Sequence, residues 1–151
     1  MTLPQEPVIL PGTVRENLYP VNQVFSDKDL VAALEKTGIW EVVSARGGLV
    51  AELDAMGLSV GQKQLFCLSR AILHKTKILL LDEATSSLDH DTEQELRRVL
   101  RAEFADCTVL EVAHKLEAIA SYHVVIVMQD GEIVEMGDPR ELLHVDFSGS
   151  A

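Results

Sequence analysis

The sequence predicts an α/β domain with a mostly parallel sheet and an antiparallel hairpin near its C-terminal end. Three observations carry that expectation. Ile78-Leu79-Leu80-Leu81 is a run of four aliphatic residues that stops at Asp82 and Glu83. A run of that length bounded by a polar turn suits a strand buried on both faces of a parallel sheet. Strand-like and helix-periodic segments alternate from Leu58 to Ala120, the pattern of parallel strands joined by helical crossovers. Asp130-Gly131 separates two apolar runs, His123–Met128 and Glu132–Met136, and is a strong hairpin turn signal.

Taken in order, Thr2 and Leu3 resemble the end of a strand. Pro4-Gln5-Glu6-Pro7 is a loop, because each proline biases its predecessor away from helix. Thr13 can cap a short helix over Val14 to Leu18 after the turn Pro11-Gly12. Ser26 or Asp27 can cap a second helix, with Leu30, Val31 and Leu34 on one face and Gly38 just past its end. Trp40 to Val43 is an apolar turn, and Gly47-Gly48 breaks what precedes it. Ser59 is the N-cap expected for a helix through His74, with Leu65, Leu68, Ile72 and Leu73 as its apolar stripe. Asp89 caps a helix to about Phe104, with Leu96, Val99 and Leu100 inward. Thr108 to Ala113 is a second buried strand with His114 at its C-terminal end, and Leu116 to Ala120 a short helix. Asp138-Pro139 opens a terminal helix through about His144.

Composition removes several classes. The 151 residues carry a formal net charge of −11 and no Lys/Arg stripe, which argues against a nucleic-acid binder and against a polybasic membrane anchor. No apolar run approaches the roughly 18 residues of a membrane span. Met1 to Pro7 has neither a basic nor an apolar signal region, so no signal peptide is expected. Cys67 and Cys107 have no metal spacing and no disulfide framework; two reduced thiols of a cytosolic domain are expected.

The chemistry sits at two places. Open α/β sheets hold ligands at the C-terminal ends of their strands, where Asp82 and Glu83 fall. Two adjacent acids are costly to hold together unless a cation is near, and phosphoryl-transfer sites supply Mg²⁺. The bland alternative is a solvated Asp-Glu turn. At Leu58-Ser59-Val60-Gly61-Gln62, a serine hydroxyl and the backbone N–H groups of a helix start make an anion site that Gly61 lets a ligand approach. The bland alternative there is an ordinary capped amphipathic helix, with Gln62 and Lys63 facing solvent. His74, His90, His123 and His144 show no partner pattern.

Together the pieces resemble an ABC-type ATPase domain. Leu58–Gln62 is similar to the signature motif, Ile78–Glu83 to the Walker B strand with its glutamate, and Ser87-Leu88-Asp89 to the D-loop. His114 stands where the switch histidine belongs, and Gln5 where the Q-loop glutamine does. Pro-Gln-Glu-Pro, Gly-Thr-Val-Arg-Glu-Asn-Leu and the valine at Val60 resemble the second nucleotide-binding domain of subfamily C, multidrug-resistance-associated exporters. The likeness runs from about Thr2 to His144. It implies ATP and Mg²⁺ as cofactors, with Asp82 orienting the metal through water and Gln5 sensing metal and water. Glu83 is implied as general base and His114 as a γ-phosphate contact. Ser59, Gly61 and Gln62 of the signature, with Asp89 at the dimer interface, would face an ATP held by a second nucleotide-binding domain. Transmembrane domains of an exporter are the other implied partners, and the cytoplasmic face of a membrane the implied location. Residues of about 13–75 would form a helical subdomain and about 76–145 the Walker B, D-loop and switch-histidine core.

One departure is large: no Gly-x-x-x-x-Gly-Lys-Ser/Thr phosphate loop, or Walker A motif, occurs in the sequence, and neither does the upstream adenine-stacking aromatic. A partial domain is therefore expected, a fragment inactive in hydrolysis alone, with an open apolar sheet edge. Two alternatives stand beside the exporter ATPase. One is a non-catalytic module that donates its signature motif to a partner domain. The other is a soluble DNA-repair-type ABC ATPase, against which the lack of coiled-coil heptads and of a basic patch speaks.

Overall fold

The computed structural model describes residues 1–18, 25–113 and 119–142. The chain divides into two compact units, Met1–Val112 and Ala113–Ala151.

In the first unit β1 (Thr2–Leu3), β2 (Ile78–Asp82) and β3 (Thr108–Val112) form a parallel sheet in the order β1-β2-β3. Thr2 pairs with Leu80, and the β2–β3 ladder runs from Ile78↔Thr108 to Asp82↔Val112. This register sets the N-terminal residues beside the strand that ends in the two acids. Among the described residues the unit also holds the α-helices α1 (Val14–Leu18), α2 (Asp27–Lys36), α3 (Trp40–Ala45), α4 (Val60–Leu73) and α5 (His90–Glu103), with short 3-10 turns at Gly48–Val50 and Asp54–Met56. Ser26, not Asp27, caps α2, in a reciprocal capping box with Asp29. Asp89 caps α5 through the Thr92 amide. Such caps satisfy backbone donors that the first turn leaves orphaned.

Two cores share α4. Leu30, Leu34, Ile39, Val43 and Phe66 belong to a helical cluster, and Leu3, Leu68, Leu79, Leu81 and Leu96 to a cluster between sheet and helices. Phe66 and Leu73 of α4 face the first, Leu65, Leu68 and Ala71 the second. A buried hydrogen bond of 2.8 Å between Thr37 and Ser69 hydroxyls ties the end of α2 to α4.

The expectation that the strands are buried on both faces is corrected. Leu79 and Leu81 are buried, but Ile78 is 53% and Leu80 39% exposed, and on β3 Leu110 is 52% and Val112 55% exposed. The buried set packs with residues of α4 and α5, on one face of the sheet. An all-aliphatic run conceals the two-residue period of its strand, so both faces look equally suited to burial.

The second unit holds an antiparallel hairpin, β4 (Val125–Gln129) and β5 (Glu132–Gly137), with an irregular register between Val127 and Met128. Asp130 and Gly131, at φ 52° and 82°, are both left-handed, the conformation of the tight turn their sequence signals. β4 starts two residues later than the sequence suggests. The helix α6 (Pro139–Leu142) follows, its first turn met by the Asp138 carboxylate, which accepts from the Arg140 amide at 2.8 Å. The expected helix over Leu116–Ala120 and the end of the terminal helix fall mainly outside the described residues.

Candidate functional site

Two groups of side chains gather the sequence-predicted residues of the first unit. The first lies at the tip of β2. Asp82 is the last residue of the strand and is exposed. Glu83 follows with φ 48°, a left-handed conformation that a residue with a Cβ adopts at a cost and that gathers at functional sites. Its amide donates to the Val112 carbonyl at 3.2 Å, so the ladder carries on to the carboxylate residue. Gln5, 81 residues away in sequence, donates from Nε2 to the Ser86 hydroxyl at 3.3 Å. Ser86 in turn donates to the Glu83 carbonyl at 2.9 Å. Gln5, Ser86 and Glu83 thus form one hydrogen-bonded chain over the strand tip.

The second group lies at the start of α4. Ser59 Oγ accepts from the Gln62 amide at 3.2 Å, while Gln62 Oε1 accepts from the Ser59 amide at 3.0 Å. This is a capping box, so the Gln62 side chain is engaged with the helix end. Val60 is absent from the residues of positive φ; a β-branched side chain fits there without strain. Gly61 is different. A Cβ added to it would collide with Thr92 Cγ2 and stand 3.4 Å from Leu88 Cδ2. The glycine therefore permits close packing of the α5 start on the α4 start, a reason distinct from approach by an anion. Thr92 also holds Asp89: its hydroxyl donates to the carboxylate at 2.7 Å and its amide at 3.0 Å. The Thr92 hydroxyl, then its amide, hold the Asp89 carboxyl below the usual aspartate range. His114 lies outside the described residues.

Sequence reasoning missed the side chains that bind these groups to the fold. Gln64, on α4, donates from Nε2 to the carbonyls of Pro4 at 2.8 Å and Gln5 at 3.1 Å. Arg70 donates from Nε to the Asn17 carbonyl at 2.6 Å, from Nη1 to the Val8 carbonyl at 2.7 Å and from Nη2 to Asn17 Oδ1 at 3.0 Å. Its guanidinium lies 5.2 Å from the centre of the Phe66 ring, within cation–π range. Asn17 in turn donates from Nδ2 to the Leu10 carbonyl and accepts the Leu10 amide, both at 2.9 Å. Burial pushes the Cys67 thiol up and the Arg70 guanidinium down, and each partly offsets the other. A glutamine and an arginine among the apolar residues of α4 were the available signal, but nothing in the sequence pairs them with acceptors more than 50 residues away.

Among the described residues no group of three or more His, Cys, Asp or Glu side chains could hold a metal ion. Asp82 and Glu83 set two consecutive carboxylate residues at the end of β2, a donor type that Mg²⁺ accepts beside phosphates and water. No helix among the described residues is long and apolar enough to cross a membrane.

The parallel sheet with its helical layer, and the antiparallel hairpin of the second unit, fit part of an ABC-type ATPase domain. A family model described as ABC transporter matches residues 1–86; the chain belongs to that family. It is 49% identical over 140 residues to ABC transporter ecdL of Aspergillus rugulosus, covering 93% of this chain and 9% of that protein. To ABC multidrug transporter B of Aspergillus fumigatus it is 42% identical over 144 residues, covering 95% and 10%. To ATP-binding cassette sub-family C member 2 of Homo sapiens it is 42% identical over 146 residues, covering 95% and 9%. The kinship is thus with the nucleotide-binding domains of subfamily C. The chain spans about a tenth of the length of the curated relatives it matches.

Proposed function

We propose that this chain supplies the catalytic carboxylate and the signature helix of an ATP-hydrolysing unit in a subfamily C exporter, at the cytoplasmic face of a membrane. The observation that carries this reading is the link Gln5–Ser86–Glu83, which sets a loop glutamine over a strained carboxylate residue at a strand tip. When bound, Mg-ATP supplies the phosphoryl group to be transferred. Asp82 would hold the metal through water, Glu83 would accept a proton from the attacking water, and Gln5 would sense both metal and water. Ser59 Oγ accepts from Gln62, and its own hydroxyl hydrogen serves an anion; with Gly61, it would face a nucleotide held by a second domain. Asp89 stands at that interface and His114 contacts the γ-phosphate, as the family resemblance implies. The partners are that second nucleotide-binding domain and the membrane-spanning domains of the exporter, with residues of about 13–75 as the helical subdomain and about 76–145 as the remaining core.

Because the 151 residues hold no phosphate-loop motif, the purified chain is expected to bind ATP weakly and turn none over. In the membrane protein that carries it together with a phosphate loop, Glu83→Gln should cut ATP turnover about 100-fold or more while nucleotide binding survives. Full turnover by Glu83→Gln would remove that residue from its role. Robust, Glu83-dependent hydrolysis by the chain alone would remove the need for the loop.

A further inference from the structure

The loop that carries Gln5 leaves the sheet at a proline. β1 ends at Leu3, and Pro4 has no N–H to continue the ladder. From there the loop's carbonyls are held by α4. Gln64 is fully buried, and its Nε2 serves both Pro4 and Gln5. Those two acceptors fix the orientation of the amide, since the flipped form would set oxygen against both carbonyls. Its Oε1 is left with no hydrogen-bond partner among the described residues. A buried acceptor without a donor is destabilising, and an apolar side chain of the same shape would avoid the loss. What the position gains instead is a hold on Gln5. Six residues further along α4, Arg70 takes the Val8 carbonyl and both the carbonyl and side chain of Asn17. The segment Pro4–Val8 is therefore fastened to α4 at both ends, while the Gln5 side chain reaches Ser86 and, through it, the Glu83 carbonyl.

We propose that Gln64 and Arg70 are positioning residues that make the Gln5 loop travel with the signature helix. An anion engaged at Ser59 and Gly61 then sets the place of Gln5 and, through Ser86, of the turn after Glu83. The inference rests on the nucleotide roles proposed above for Gln5 and the signature motif.

The test is ATP turnover by the full exporter carrying this chain, with Gln5→Ala, Gln64→Met and the double variant. Gln64→Met should lower kcat about ten-fold and leave KM within about two-fold. The double variant should be no slower than Gln5→Ala alone, because both changes break one chain of contacts. If Gln5→Ala keeps full kcat, the functional reading of Gln5 falls and the linkage with it. If Gln5→Ala is slow while Gln64→Met is not, or if the two losses multiply, the linkage alone falls. A second measurement needs no change at Gln64. Spin labels at exposed positions 6 and 74, introduced as Glu6→Cys and His74→Cys with Cys107→Ser, report the loop against the end of α4. Their distance distribution should stay single and unshifted on adding Mg-ATP. A shift or a second population would mean that the loop leaves the helix, and would overturn the proposal.

Discussion

The helical core and the sheet core share α4 but are closed differently. Around Phe66, Leu30 and Leu34 the helices cover one another on every side, and each of these residues is fully buried. The sheet is closed on one face, by Leu79 and Leu81 against α4 and α5, while Ile78, Leu80, Leu110 and Val112 remain exposed on the other. Similar aliphatic content thus does different things in the two places. In one it is cohesion; in the other, half of it is a surface available to another body.

Substitutions that separate the two cores test this contrast. The largest effect is expected in the helical core, where Phe66→Ala should cost about 3–5 kcal/mol in urea unfolding of the chain. Next comes the packed junction of α4 and α5. Gly61→Ala should cost about 1–3 kcal/mol through overpacking against Thr92. Most of that loss should return in the double variant with Thr92→Ser, which deletes the obstructing methyl and keeps the hydroxyl. If it does not return, Gly61 is required for something other than packing.

A smaller effect, with a pH signature, is expected at Asp89. Hydrogen bonds from Thr92 favour the ionised carboxylate in the folded chain and depress its pKa. Its contribution is therefore present above the unfolded aspartate value of about 3.9 and is lost as pH falls through the lower folded value. Asp89→Ala should be less stable than the parent at neutral pH, and the two should converge as the solution is acidified below that range. A difference that persists in acid would point to a role other than the ionised cap. The smallest effect is expected on the open face. Leu110→Thr should change stability by about 0.5 kcal/mol or less and reduce self-association seen by light scattering. A loss comparable with Phe66→Ala would mean that the face is covered, and the contrast between the cores would fail.

Local chemistry was the legible part of the fold. Ser59 and Asp89 cap helices as their positions suggest, and Asp130-Gly131 makes the turn that its left-handed preference favours. The α/β alternation also declared the parallel sheet. One-sided burial was not legible, because Ile78 and Leu79 are equally apolar and only the placement of α4 and α5 tells them apart. At the candidate site Asp82 and Glu83 stood out by the abrupt change from aliphatic to acidic. Their supports did not. Gln64 holds a carbonyl 60 residues away, Arg70 one 62 residues away, and Thr92 fills the space that Gly61 leaves. Each is a long-range geometric relation without a local sequence signal.

The double burial of α4 has a consequence for how the first unit comes apart. A helix lining only one cluster can open while the other cluster stays intact. Here withdrawal of α4 strips Phe66 and Leu73 from one cluster and Leu65, Leu68 and Ala71 from the other in the same event. The two clusters therefore unfold as one cooperative unit, and the central amides of α4 should exchange with solvent only through global opening. The helix that Ser59 caps should thus also be the last part of the unit to let go.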